Sequence, residues 1–375
     1  MSCVVFTGGG TAGHIYPGIA VAESLPQNVE LVWLGSANGK DELFVKNALQ
    51  RVKFIAIPSG KYRRYFSIST FLKNFFDLFK VLYSIFLCVF LLRKLKPSLL
   101  FSKGGFVSTP PCIAARLLKI PVITHECDVS PGLATRLNAC FATQILTSYP
   151  ETKDRFKLEY RKKVIYTGNP VRSFFYNADG GSTQNFLKIE IKRPILLVLG
   201  GSLGAEQINT FVYENLEELL KTFIVVHQTG ADNIDRASAC LVELKEKNCD
   251  HAQFYFPKAF IKEELADLVV SAFIVVARSG SNTVWELAAL GKPMVLIPLE
   301  KGASRGDQVE NATYFSSKRA AIMLCGDESN SNSFLKNIMG VYSNDGLRKE
   351  LSDNAKKLSN KNVAENIAQM IAEFL

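Results

Sequence analysis

One feature recurs along this chain and constrains its fold more than any other. A short apolar run ends in a glycine-rich turn, and a helical pattern follows. Val4–Phe6 runs into Thr7-Gly8-Gly9-Gly10-Thr11-Ala12-Gly13-His14, with a helix expected from about Pro17 to Ser24. Ile195–Leu199 runs into Gly200-Gly201-Ser202-Leu203-Gly204, and Ile274–Ala277 into Arg278-Ser279-Gly280-Ser281-Asn282-Thr283. Further strands are expected at Glu30–Leu34, Leu99–Phe101, Val122–Thr124, Phe223–His227 and Met294–Pro298. Strands alternating with helices build βαβ units and parallel sheets. The expectation is therefore an α/β chain of two doubly wound, Rossmann-like domains facing a central cleft.

The 375 residues suit two domains at roughly 100–200 residues each. Gly168-Asn169-Pro170 breaks regular structure inside a hinge at Tyr166–Arg172. Residues 1–166 and 167–349 are the expected domains, with a C-terminal helix at about 350–375 packing back on the first. Ligands of open α/β sheets bind outside the carboxyl ends of the strands, so the cleft is the expected active site.

Charge is unevenly spread. Residues 1–165 hold 22 Lys/Arg against 10 Asp/Glu, and the remainder 22 against 25. A basic half suits nucleic acid or an anionic lipid surface. The apolar segment described below favours the membrane, and no nucleic-acid partner is expected. The eight cysteines and four histidines fall at no metal-ligand spacing, and no Asp-x-Asp clamp occurs. Neither a metal nor another cofactor is expected, and the cysteines read as reduced thiols. The start of the chain reads as a first strand and not as a secretory signal.

The loop after the first strand can offer backbone N–H groups and a helix start to an anion or a negatively charged transition state. Gly8, Gly10 and Gly13 fit the G-x-G-x-x-G pattern, but a dinucleotide site also wants an acid at the end of the second strand. That strand ends Trp33-Leu34-Gly35-Ser36, and the first acid beyond it is Asp41. A P-loop is excluded because no Gly-Lys-Ser/Thr follows. His14 stands at the mouth of the loop. In the second half, the Ser281-Asn282-Thr283 helix start can meet a diphosphate, and Glu286, one turn on, can accept bonds from both hydroxyls of a ribose. Three such turns, each at a strand end, point to a nucleotide-sugar site.

Residues 61–96 carry an amphipathic helix. Lys73, Asp77, Lys80 and Ser84 form a polar stripe, and Phe75, Phe76, Phe79, Leu82 and Phe86 lie off it. Its uninterrupted apolar part, Val81–Leu92, falls short of the roughly 20 residues a membrane crossing needs. Lys61, Arg63, Arg64, Arg93, Lys94 and Lys96 flank the segment. Core packing would use the apolar face one way. A helix lying at an anionic membrane surface, with Phe75, Phe79, Leu82 and Phe86 toward lipid, would use it another.

Together these motifs resemble the MurG-type UDP-N-acetylglucosamine:lipid I transferases, inverting enzymes of the GT-B fold. Thr7–His14 with Pro17-Gly18-Ile19-Ala20 resembles the family's first glycine loop, and Gly104-Gly105-Phe106-Val107-Ser108 its second. His125-Glu126 falls where the family has His-Glu-Gln-Asn, and Gly168-Asn169-Pro170-Val171-Arg172 is similar to its interdomain motif. Gly200–Gly204, His227-Gln228-Thr229-Gly230, Arg278–Glu286 and Asp307-Gln308-Val309-Glu310-Asn311-Ala312 resemble the C-domain motifs. Ala12, Phe106 and Cys127-Asp128 depart from the family's glycine, tyrosine and Gln-Asn. The resemblance implies a UDP-GlcNAc donor and an undecaprenyl-diphosphate-linked acceptor whose N-acetylmuramic acid C4 hydroxyl is glycosylated. It implies a peripheral enzyme on the cytoplasmic face of a bacterial plasma membrane, with other cell-wall synthesis proteins as partners. His14 is the first candidate for the general base, and Glu126 is the second, as base or as orienter of His14. Donor contacts are implied at Thr11, Ala12, Gly13, Asp128, Arg172, Ser202, Ile261, Ser281, Asn282, Thr283, Val284, Trp285, Glu286, Gln308 and Asn311. Two relatives of the same fold compete: a UDP-sugar:diacylglycerol glycosyltransferase and a UDP-GlcNAc epimerase.

Overall fold

The computed structural model describes residues 2–37, 39–60, 68–201, 204–300 and 305–375, with the side chains of 68–73 outside that description. Internal contacts divide the chain into unit 1, Met1–Arg172 with Lys361–Leu375, and unit 2, Ser173–Asn360.

Unit 1 is built on β1 (Cys3–Thr7), β2 (Glu30–Ser36), β3 (Lys53–Ile57), β4 (Leu99–Ser102), β5 (Val122–Glu126), β6 (Gln144–Thr147) and β7 (Val164–Tyr166). All pair in parallel in the order β3-β2-β1-β4-β5-β6-β7. Alternation along β1 explains why it sits centrally. Val4 and Phe6 enter one core cluster with Ile19, Trp33 and Phe101, while Cys3 and Val5 enter the opposite one with Leu34, Cys88 and Leu92. Period-two side chains on a strand covered on both faces must be apolar throughout. Each such residue contributes about 1.5–3 kcal/mol of burial. Helix α1 (Tyr16–Glu23) covers one face together with the helix Val363–Ala372. The C-terminal stretch is thus shared: Val363–Ala372 completes unit 1, and Asp345–Leu358 belongs to unit 2.

Helix α2 (Asp41–Ala48) follows β2, and α3 (Ile68–Leu95) precedes β4. Asp77, Ser84, Cys88 and Leu92 of α3 are buried where it packs on β3 and α4 (Thr109–Leu117). Phe75, Phe76, Phe79, Leu82, Phe86 and Phe90 are exposed. Of the expected polar stripe, Asp77 and Ser84 therefore point inward while Lys80 stays exposed, and the phenylalanines face outward, the reverse of an ordinary surface helix. Lys61, Arg63, Arg64 and the Lys73 side chain lie outside the described residues. By length and composition Asn74–Leu95 could cross a membrane, yet one whole face of α3 is occupied by its own domain.

Unit 2 repeats the design with β8 (Ile195–Leu199), β9 (Ile224–Gln228), β10 (Tyr255–Lys258), β11 (Ala272–Ala277), β12 (Met294–Leu296) and β13 (Ile322–Met323). The parallel order is β10-β9-β8-β11-β12-β13. In each sheet the order reverses beside the first strand, at β1/β4 and at β8/β11. Those are the switch points where open α/β sheets bind ligands.

Candidate active site

In unit 1 three loops meet at the β1/β4 switch point. The first is the glycine loop after β1. Gly10 has φ +84°, a left-handed conformation that favours glycine, and a Cβ there would press into the Phe106 ring. Its N–H donates to both carboxylate oxygens of Asp41, at 3.0 and 3.2 Å, and Ser36 N–H donates to the same group at 2.9 Å. Asp41 is buried at the start of α2. The loop is therefore already furnished with an anion of its own, which makes it a poor cradle for a second one. Sequence reasoning passed over Asp41 except to reject a dinucleotide site. Its position as the first acid beyond β2 was the available signal.

The loop after β4 lies against His14. Gly105 has φ +77°, and a Cβ on it would stand 3.0 Å from His14 Cδ2 and 2.5 Å from Gly9 O. The half-exposed His14 ring rests on this glycine surface, while Thr11 and Gly13 are exposed and Ala12 is half-buried beside it. The third loop follows β5. Glu126 is buried, and its two oxygens accept from Cys127 N–H (2.9 Å), Asp128 N–H (3.1 Å) and Gly132 N–H (3.0 Å). This carboxylate ties down its own loop, which weighs against Glu126 as a mobile proton acceptor. Asp128 is half-buried on the loop that Glu126 holds.

Beneath these loops lies a buried cation that the sequence reading missed. Lys103 is 1% exposed; its Nζ bonds His125 Nδ1 and donates to Cys127 Sγ at 3.0 Å. Burial, and then Lys103, hold His125 well below its ordinary pKa. The neutral ring accepts at Nδ1, which leaves Nε2–H to donate to Gly168 O at 3.1 Å. Burial also pushes the Cys127 thiol up to about 11. Arg172 stacks its guanidinium 4.1 Å from the Tyr16 ring centroid.

In unit 2 the loop after β8 and the turn after β11 flank the switch point. Gln228, at the end of β9, donates from Nε2 to Gly201 O and accepts from Ile261 N–H, both at 3.0 Å. Ser279 Oγ donates to Gln308 O (2.7 Å), Asn311 Nδ2 donates to Ser279 O (3.2 Å), and Leu299 N–H donates to Gln308 Oε1 (3.0 Å). These bonds gather Ile261, Gln308 and Asn311 around the strand ends. The helix Ser281–Ala289 begins there, with Asn282 and Thr283 half-exposed and Ser281 and Glu286 buried. Val284 and Trp285 face the interior, where Trp285 meets Phe315 edge-on at 5.1 Å. Their expected ligand contact is thereby limited to backbone, because their side chains are spent on packing. Asn311 is likewise fully buried, and its amide nitrogen serves Ser279. Burial lowers the Arg278 pKa, and its Nη1 is buried without a hydrogen-bond partner among the described residues. Ser202 lies outside the described residues.

Two parallel sheets, each with a glycine turn at its switch point, make this a two-domain α/β protein of the GT-B fold. The glycosyltransferase family 28 N-terminal domain model matches residues 4–147, and the family 28 C-terminal domain model residues 195–369. A Treponema denticola protein is 48% identical over 388 residues, covering 100% of this chain and 97% of its own. It is named UDP-N-acetylglucosamine–N-acetylmuramyl-(pentapeptide) pyrophosphoryl-undecaprenol N-acetylglucosamine transferase. This chain belongs to that transferase family, MurG. In fold it is similar to Acinetobacter baumannii MurG (TM-score 0.72, 23% identity, all of both chains). It is similar also to a Neisseria meningitidis UDP-GlcNAc 2-epimerase bound to UDP-GlcNAc (TM-score 0.69, 14% identity, all of both chains).

Proposed function

We propose that this chain transfers N-acetylglucosamine from UDP-GlcNAc to the C4 hydroxyl of N-acetylmuramic acid on undecaprenyl diphosphate, with inversion. The fold alone is shared with an epimerase. The observation that carries the choice is the 48% identity along the whole chain to a transferase of that name. In the reaction, the acceptor O4 forms a bond to the anomeric carbon as the bond from that carbon to the UDP oxygen breaks. The O4 proton passes to a base, and the electron pair of the broken bond leaves with UDP.

His14 is the base in this reading. Its ring is half-exposed on bare glycine backbone, and imidazole titrates near neutral pH. Glu126 supports it indirectly by holding the β5 loop. The negative charge of Asp41 on the first glycine loop suits a neutral sugar hydroxyl there better than a diphosphate. Unit 2 takes the donor. Arg278, the backbone at Ser281–Thr283, and Ser202 meet the leaving diphosphate, and Arg172 remains part of the same proposal. Glu286 holds the ribose. The Gln308 side-chain NH2, which has no partner among the described residues, donates to a sugar hydroxyl.

The outward phenylalanines of α3, beside exposed Lys80, Arg93, Lys94 and Lys96, support a peripheral seat on an anionic membrane. Each cation near such a surface adds roughly 1 kcal/mol. The cytoplasmic face of that membrane is the side that membership of the family implies, and other cell-wall synthesis proteins are the partners expected there. Mass spectrometry of products from UDP-GlcNAc and purified lipid I tests the reading. A lipid-linked disaccharide is expected. An epimerised UDP-sugar, or product from diacylglycerol alone, would overturn it.

A further inference from the structure

The amide of Gln228 joins two loops of unit 2. Its side chain is buried, the residue being 5% exposed, and it spans two segments that are distant in sequence. One is the glycine loop after β8: Gly201 has φ +84° and its carbonyl accepts Gln228 Nε2. The other is the segment after β10, where Ile261 N–H donates to Gln228 Oε1. The loop also wraps the main chain at this point. Gly200 N–H donates to Gln228 O at 3.3 Å, and Gly204 N–H closes back on Gly201 O at 3.2 Å.

The strand end carrying this amide is rigid. His227 is fully buried, bonded at Nδ1 to the Tyr255 hydroxyl and at Nε2 to Asn209 Oδ1, both at 3.0 Å. Asn209 Nδ2 in turn donates to Thr229 O at 3.0 Å. A primary amide suits this place because it donates at one end and accepts at the other. A carboxylate of the same length can only accept.

We propose that Gln228 is a positioning residue that couples the glycine loop at Gly201 to the Ile261 segment, so that the nucleoside and diphosphate parts of the donor are bound cooperatively. This rests on the reading of unit 2 as the UDP-GlcNAc site. Binding at one segment fixes the Gln228 amide, and the amide then fixes the other segment. Small misplacements of such binding loops are costly in affinity.

The test uses full-length enzyme with Gln228→Met and Gln228→Glu. Calorimetry reads the Kd of UDP and of uridine, kinetics reads KM and kcat for UDP-GlcNAc, and melting reads the fold. For Gln228→Met we expect Kd for UDP and KM to rise about tenfold, from the loss of two buried hydrogen bonds. The kcat should stay within about threefold, and the Tm should fall by only the few degrees that two unsatisfied backbone groups cost. Gln228→Glu keeps the acceptor for Ile261 N–H and loses the donor to Gly201 O. It should bind uridine almost normally and lose most of the advantage of UDP over uridine. An unchanged UDP-over-uridine ratio in both variants overturns the coupling, as does a loss that simply follows a fall in Tm. Wild-type enzyme that fails to bind UDP would overturn the donor reading itself, and this role with it.

Discussion

Replacing Phe79 and Phe86 of α3 with serine tests the membrane seat directly. The two residues are 55% and 75% exposed. At roughly 200 Å² per phenylalanine, about 260 Å² of apolar surface faces outward from this pair. At about 25 cal/mol per Å² the ceiling on its contribution is about 6.5 kcal/mol. An interfacial helix sinks only part of that surface, so about 3 kcal/mol is the working figure, or roughly a 100-fold weaker partition. The assay is co-sedimentation with vesicles of mixed neutral and anionic lipid, at low and at about 0.5 M salt, where surface charges are screened within a few ångströms. The wild type should bind and be weakened by salt; Phe79→Ser/Phe86→Ser should bind far less at both salts. The melting temperature should hold, because neither side chain is in the core. Equal binding by both proteins would refute the reasoning, and a wild type that resists salt and carbonate extraction would show integral insertion.

Substituting His14→Ala should lower kcat by about 10²–10⁴-fold with UDP affinity unchanged by calorimetry; near-normal turnover would remove His14 as the base. Glu126→Ala should lower activity and Tm together, because three backbone N–H groups lose their acceptor at about 2–3 kcal/mol in total. A rate loss at constant Tm would return Glu126 to the chemistry. Acid should weaken unit 2 through His227, whose pKa burial depresses from 6.5 to about 3. The folded state keeps this ring neutral, and the unfolded chain takes up the proton once pH falls below 6.5. Stability is thus full near pH 7.5 and about 2 kcal/mol lower at pH 5. Denaturant titration of the wild type against His227→Gln should show a shallower pH slope in the variant.

Strands that end in glycine turns were legible because a buried parallel strand must be apolar throughout and its loop must free backbone. Those at β1, β4, β8, β9 and β11 announce themselves that way, and β2, β5 and β12 by their apolar runs alone. The ones that escaped, β3, β6, β7, β10 and β13, are mostly at or near sheet edges. Tyr255-Phe256-Pro257-Lys258, for example, mixes apolar and polar residues because one side of it is unpaired. The site was legible as motifs but not as bonds. Nothing in the order of residues says that Asp41 closes a loop 31 positions earlier, or that Lys103 lies between His125 and Cys127. The orientation of α3 was equally hidden, since periodicity reveals two faces and leaves open which one is covered.

The helix Val363–Ala372 has a consequence for how the chain is made. It contributes Val363, Ile367, Ala368 and Ile371 to the same core as Val4, Phe6 and Trp33, so the unit that emerges first from the ribosome is the last to be finished. At about 5–20 residues per second, roughly 10–40 s pass between the exit of Arg172 and that of the closing helix. Throughout that interval unit 1 carries two uncovered apolar surfaces, the seat of this helix and the phenylalanine face of α3. A membrane close to the ribosome, or a chaperone that holds apolar chain, would find both open until residue 371 arrives, and only the second afterwards.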